Sequence, residues 1–142
     1  MTSAEERLAA AVGEAMYARD TASQALGMTI EEVGPGYARV RMAVRADMLN
    51  GHGTCHGGLV FALADSAFAF ACNSHDVVTV AAGCSIEFLA PAREGDELVA
   101  EAKELHREGR NGVYDVAVRR ADGALVATFR GRSASTRERV LE

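Results

Sequence analysis

The chain has 142 residues, of which 49% are hydrophobic and 25% charged, and a net charge of −5. This is the length of a single domain, spanning residues 1–142, that can bury a core without disulfides or metal, and the composition lacks the polar bias of a disordered chain. The acidic balance argues against nucleic acid or an anionic membrane as a general partner. Cys55, Cys72 and Cys84 are an odd number and read as free thiols in a reducing compartment. The opening MTSAEERL is acidic and helix-forming, unlike a secretory leader. The longest apolar stretch, residues 57–72, is too short for a membrane span and carries Asp65. A cytoplasmic protein with no membrane partner is expected.

Taken in order, Ser3 and Glu6 form a capping box, and Leu8, Val12 and Met16 recur at helical spacing as far as Arg19. Thr21 with Gln24 repeats the capping pattern and Gly27 supplies a stop, which predicts a short helix over residues 22–26. Gly34-Pro35-Gly36 then separates two strand-like runs. The second alternates Val40, Met42 and Val44 with Arg39, Arg41 and Arg45, as a hairpin with one solvated face does. Residues 77–89 are β-branched and weakly polar, ended by Pro91 and Gly95, and read as a largely buried strand. Residues 97–106, 113–120 and 125–135 read as long strands, separated by turns at 109–112 and at Ala121-Asp122-Gly123. His75 and His106 lie near element ends and read as exposed. There is no internal repeat or linker.

The centre of the chain is residues 50–72, NGHGTCHGGLVFALADSAFAFAC. Ala62, Ala64, Ala67, Ala69 and Ala71 are interleaved with Leu59, Phe61, Leu63, Phe68 and Phe70, a helix apolar nearly all round that a curved sheet can approach closely. One antiparallel sheet curled around one buried helix is an α+β architecture. Between Asp47 and Asp76 the only charged residue is Asp65. A buried carboxylate with no partner costs several kcal/mol, roughly, unless it is bonded or used. Asp65 is therefore either bonded to backbone amides or a distant Arg, or functional.

The glycines at the helix start point to chemistry. A helix N-terminus presents amides with no intrahelical acceptor, and at Gly57 and Gly58 a ligand oxygen can approach the backbone, as in an oxyanion hole. His52, Cys55 and His56 crowd too closely for a tetrahedral metal site, and no second Cys/His pair stands at ligand spacing, so no metal is expected. The two histidines are read as bonding loop backbone and holding the helix entrance, with His56 a candidate second donor to a substrate. Cys55 is read as packing rather than as a nucleophile, and Cys72 and Cys84 as small core residues. The glycines fit neither a dinucleotide loop nor a phosphate loop.

The run Asn50-Gly51-His52-Gly53-Thr54-Cys55-His56-Gly57-Gly58, with Asp65-Ser66 eight and nine residues after Gly57, resembles the hotdog-fold acyl-CoA thioesterases, and closely their phenylacetic-acid-degradation branch. The likeness extends from Arg19-Asp20-Thr21-Ala22 to Phe129-Arg130-Gly131-Arg132-Ser133. It implies hydrolysis of (hydroxy)phenylacetyl-type thioesters of coenzyme A, without cofactor, by a homotetramer built as a dimer of dimers. By the same resemblance, Gly57 gives its amide to the thioester oxygen, Asp65 is base or nucleophile, and Asn50 helps place water. Many relatives carry Ser or Thr where Ala81 stands here, and Ser66 is the local substitute. The acidic chain needs a local basic patch for the coenzyme A phosphates, drawn from Arg93, Arg107, Arg110, Arg130 and Arg132. Two other readings use the same pocket: a non-catalytic acyl-CoA sensor, which has no use for an uncompensated carboxylate, and an acyl-thioester hydratase or dehydratase, which needs His52 or His56 beside Asp65.

Overall fold

Helix α3 (Gly57–Asn73) has too much apolar surface to face water, and the other elements are placed around it. The structure, a computed structural model, describes residues 2–142. Val60, Leu63, Ala64, Ala67, Phe68 and Ala71 are among its buried residues. The remaining elements are α1 (Ala4–Arg19), α2 (Thr21–Ala25), β1 (Thr29–Gly34), β2 (Tyr37–Ala43), β3 (Thr79–Phe88), β4 (Glu97–Glu108), β5 (Asn111–Arg120) and β6 (Leu125–Ser135), with a single 3-10 turn at Ala46–Met48. The strands form one antiparallel sheet in the order β1-β2-β4-β5-β6-β3. This is the hotdog fold.

The local rules account for most of this. Ser3 and Glu6 cap α1 reciprocally, at 3.1 and 3.3 Å. The β1–β2 hairpin turns through Gly36, whose φ of +66° favours glycine and whose added Cβ would sit 2.8 Å from Glu104 Cβ. On β2, Ala38, Val40 and Met42 are fully buried while Arg39 and Arg41 pair with Glu31 on the solvated face. Under α3, the Phe68 ring meets Tyr114 and Phe129 at centroid distances of 5.6 Å each. Asn73 ends the helix by bonding both the amide and the carbonyl of Thr79, which fixes where β3 begins.

Four expectations are corrected. The short second helix starts at Thr21, and its cap is Asp20, which accepts from Ser23 N at 2.9 Å, because a carboxylate one residue earlier reaches the free amide. Strand β3 is not largely buried: it is an edge strand of the sheet, and it leaves Val80 and Phe88, with Leu89 just after it, more than half exposed. Cys84, on that strand, is exposed rather than in the core, while Cys72 is buried. His75 is half-buried, with Nε2 2.8 Å from Glu104 Oε1, because the end of α3 drops it onto β4. In addition, β4 and β5 run further than expected and meet at a two-residue turn, Gly109-Arg110.

The sheet's closeness to α3 is testable at Gly131 on β6, where an added Cβ would lie 2.7 Å from the Phe68 ring. Gly131→Ala is expected to destabilise the fold by about 1–3 kcal/mol, the cost of overpacking a filled core. Urea denaturation measures this, and an unchanged midpoint would mean that the helix sits further from the sheet.

Candidate active site

The entrance to α3 is a loop that closes on itself. Asn50 Oδ1 accepts from the amides of His52 and Thr54 at 2.9 and 3.2 Å, and its Nδ2 donates to Thr54 Oγ1 at 3.0 Å. Two backbone bonds tie the loop down, Cys55 N to Ala92 O at 2.7 Å and His56 N to Met48 O at 2.8 Å. His56 then caps the helix, its Nδ1 accepting from Gly58 N at 2.9 Å. Among the described residues, the Gly57 amide donates to no atom of the chain. It is left free at the positive end of a 17-residue helix, which suits an oxygen carrying developing charge. The ring of Phe88 lies 3.3 Å from where a Gly57 Cβ would be, so a side chain here would press against it.

Two turns further along the helix, Asp65 is half-buried and, among the described residues, makes no hydrogen bond and no ion pair. It opens into a cavity of about 660 Å³ lined both by apolar groups of α1, α3 and β3, including Met16, Phe68, Val80 and Ala81, and by polar ones. Arg19 and Arg139 line the same space without compensating it. The Arg19 guanidinium is bonded to the Ala15 carbonyl and reaches the Val140 carbonyl, and Arg139 is paired with Asp76. Burial pushes the Asp65 carboxyl above the usual carboxylate range, and the nearby charge of Asp20 pushes it the same way. Such a group holds a proton more readily than a free Asp, which is what a general base needs.

The sequence-predicted residues fall into two places. Gly57, Gly58, His56, His52 and Asn50 gather at the helix entrance; Asp65 and Ser66 gather two turns away, and among the described residues Gly57 lines neither of the two cavities that Asp65 lines. His52 is exposed and enters the loop through its backbone amide. The side chain of Asn50 is largely committed to closing its own loop. Ser66 shares a small cavity with Asp65, its hydroxyl 2.9 Å from Ser23 Oγ, which donates to Asp20 Oδ2 at 2.6 Å. Thr79 reaches the large cavity, but its hydroxyl is spent on the Val77 carbonyl and Ser135. Among the described residues no group of three His, Cys, Asp or Glu is placed to hold a metal ion.

Sequence reasoning missed three neighbours. Asp20 and Ser23 were hidden behind a capping signature that also fitted Thr21 and Gln24, and the short Asp-x-x-Ser spacing was the available signal. Phe88 gave none, because its position beside Gly57 depends on a strand 31 residues downstream.

The thioesterase superfamily model matches residues 52–127, which include the helix entrance, Asp65 and four of the six strands in whole or part. The chain belongs to the thioesterase superfamily, and it is a thioester hydrolase of the hotdog fold. Acyl-coenzyme A thioesterase PaaI of Escherichia coli is 48% identical over 119 residues, covering 84% of this chain and 85% of that one. The structure of the E. coli PaaI protein, from the phenylacetic acid degradation operon, superposes with a TM-score of 0.93 at 43% identity, over 94% of this chain and 97% of that one. TT0310 protein of Thermus thermophilus superposes with a TM-score of 0.80 at 42% identity, over 83% and 99% of the two chains. The protein smu.793 of Streptococcus mutans, solved bound to acetyl CoA, gives 0.76 at 26% identity over 79% and 90%.

The state of Asp65 makes two predictions. Because its pKa in the fold is raised above the usual 3.8, its ionisation opposes folding: stability is greatest below that value and falls as pH rises through the folded pKa. Asp65→Asn is therefore expected to raise the thermal midpoint at pH 7 and to lose that gain below pH 3.8; a lower midpoint at pH 7 would mean that the carboxylate is compensated. Asp20→Asn keeps a cap for Ser23 but removes the charge beside Asp65, so the acid limb of the kcat/KM profile is expected to move to lower pH. A limb that stays in place would show that the two carboxylates are not coupled.

Proposed function

We propose that the protein is an acyl-CoA thioesterase that hydrolyses (hydroxy)phenylacetyl-type aromatic acyl-CoA thioesters to the free acid and coenzyme A in phenylacetate breakdown. The observation that carries this is the uncompensated Asp65 carboxylate facing a cavity that Met16, Phe68, Val80 and Val140 line in part, on the same helix that presents a free amide at Gly57. The aromatic acyl group is supported by the likeness to E. coli PaaI and by that cavity, which lies in the range of about 300–1,000 Å³ usual for small ligands. Three free thiols support a cytoplasmic setting for this single hotdog domain.

In this reading Asp65 takes a proton from water as the water oxygen adds to the thioester carbon. The Gly57 amide donates to the resulting oxyanion, helped by His56. Collapse breaks the carbon–sulfur bond, and the thiolate that leaves is far more stable than an alkoxide, so neither a triad nor a cofactor is required. Ser66, beside Asp65, helps hold the water in place of the hydroxyl absent at Ala81, and Asn50 holds the loop that positions Gly57. The hydratase reading is disfavoured, because the Nδ1 of His56 is taken up by the Gly58 amide, which leaves the ring a donor through Nε2 rather than a free base, and His52 is exposed. A sensor reading leaves the cost of Asp65 unexplained.

The same geometry supports a site shared between chains. Gly57 and Asp65 are eight residues apart, roughly 12 Å along the axis at about 1.5 Å per residue, whereas an amide donor and an attacking group must each come within about 3–3.5 Å of one carbonyl. An antiparallel second copy can set its Asp65 opposite Gly57, and the exposed apolar edge around β3 supports such a dimer and, with it, the homotetramer. For the coenzyme A phosphates, Arg130 is already held bidentately by Asp115, which leaves Arg93, Arg107 and Arg110 as the better candidates, with Arg132 adjoining β3.

The test is hydrolysis of short, long and aromatic acyl-CoAs, read as released thiol. Aromatic substrates are expected to be preferred, and Asp65→Asn to lower turnover by a factor on the order of a hundred or more. Near-normal hydrolysis by that variant would refute the assignment. Differently tagged Gly57→Trp and Asp65→Asn chains, each inactive alone, are expected to regain about one working site per mixed pair; assembled but inactive pairs would count against sharing.

A further inference from the structure

Beyond β6 the chain turns back along the approach to β3. The Val78 carbonyl accepts from Thr136 N and Thr136 Oγ1, each at 2.8 Å, and Val78 N donates to Glu138 O at 2.9 Å. Asp76 then clamps this strap, residues 136–142, with Arg19 reaching the Val140 carbonyl from α1. Asp76 Oδ2 accepts from Arg139 Nε at 2.8 Å and Nη2 at 2.6 Å, and its Oδ1 accepts from the Leu141 amide at 2.8 Å. Asp76 is 4% exposed and has φ +65°, a left-handed backbone conformation uncommon outside Gly, Asn and Asp. Although burial pushes its carboxyl up, the Leu141 amide and the Arg139 guanidinium hold it below the usual range. A buried carboxylate is thus committed to fixing one segment, and the hydrogen bonds of α3 and β3 make no use of it.

That segment walls the cavity that holds Asp65. Glu138, Arg139, Val140 and Glu142 line it from the strap, opposite groups of α1 and α3. Val140 is the apolar member of this wall and is 8% exposed. We propose that the strap is a specificity element of the site, in which Val140, held by the Asp76 clamp, limits the bulk and length of the acyl group admitted beside Asp65. This rests on the acyl-thioester reading above. A compact acyl group is buried against Met16, Phe68 and Val140, whereas a long chain that runs past Val140 must desolvate Arg19, Glu138 or Glu142, which the gain from a few methylenes does not offset.

The test uses thioethers of coenzyme A, which cannot be hydrolysed, with methyl, phenylethyl and decyl groups on sulfur, titrated calorimetrically into the full chain and its variants. Val140→Phe is expected to weaken the phenylethyl and decyl ligands by about tenfold relative to methyl, a change typical of a filled hydrophobic subsite. Val140→Ala, and Arg139→Ala acting through the clamp, are expected to favour decyl over methyl. Should Val140→Phe fail to fold, Arg139→Ala carries the test, because that side chain is largely exposed. Unchanged ligand ratios in folded variants would overturn the proposal, as would failure of the wild-type protein to bind any of the three. If ratios shift while the matching thioesters are not turned over, the hydrolase reading fails and the role of the strap stands.

Discussion

Desolvation of the Asp65 carboxylate is the constraint on which the rest of the site depends. Burying a carboxylate without a cation or a donor is unfavourable, and α3 accepts this in the middle of the most apolar segment of the chain. The helix can afford it because its other faces are buried by Leu63, Ala64, Phe68 and Ala71 against the sheet. Asp65 is kept from full burial by the cavity it opens into. Nearby groups that could neutralise it are occupied elsewhere: Arg139 by Asp76, and Arg19 by backbone carbonyls. Asp20 adds a second negative charge beside it and is itself fixed as the cap of α2, so the surroundings consistently favour the protonated form.

The second requirement, a free amide at Gly57, is met by satisfying its neighbours. His56 takes up the Gly58 amide through its ring and receives the Leu59 amide through its carbonyl, which leaves Gly57 as the donor still pointing outward. The loop before it is held by Asn50 and Thr54, so the helix entrance has a defined position before any ligand arrives. Preorganisation of this kind matters because a donor that must first reorient gives back part of what it contributes to an oxyanion.

Much of the fold was legible because it rests on local rules. The capping box at Ser3, the Gly-Pro-Gly turn, the Val40-Met42 alternation and the Asp-Gly turn are read over a few residues, and the structure follows them. The isolation of Asp65 was legible too, since it depends on which residue types are missing nearby. What could not be read depends on contacts distant in sequence or on surfaces the chain does not cover. An apolar, β-branched strand reads the same whether its own helix or another copy covers it, so β3 and Cys84 were placed in the core. His75 and Phe88 found their partners, Glu104 and Gly57, across 29 and 31 residues, beyond any periodic signal. The clamp at Asp76 is of the same kind, formed across 63 residues to Arg139.

The misplaced strand and the divided site have a common cause under the shared-site reading. Phe88, whose ring lies beside Gly57, is more than half exposed at the end of β3, so the amide proposed as oxyanion donor stands next to an exposed apolar surface. Asp65, two helical turns away, faces a cavity walled by the start of β3. In the proposed dimer, a second copy that covers the exposed apolar edge in antiparallel orientation sets its own Asp65 toward Gly57 and removes Val80, Phe88 and Leu89 from water. Under that proposal, assembly and completion of the site are one step, and burial of the apolar surface of β3 supplies free energy for bringing the Gly57 amide and Asp65 together.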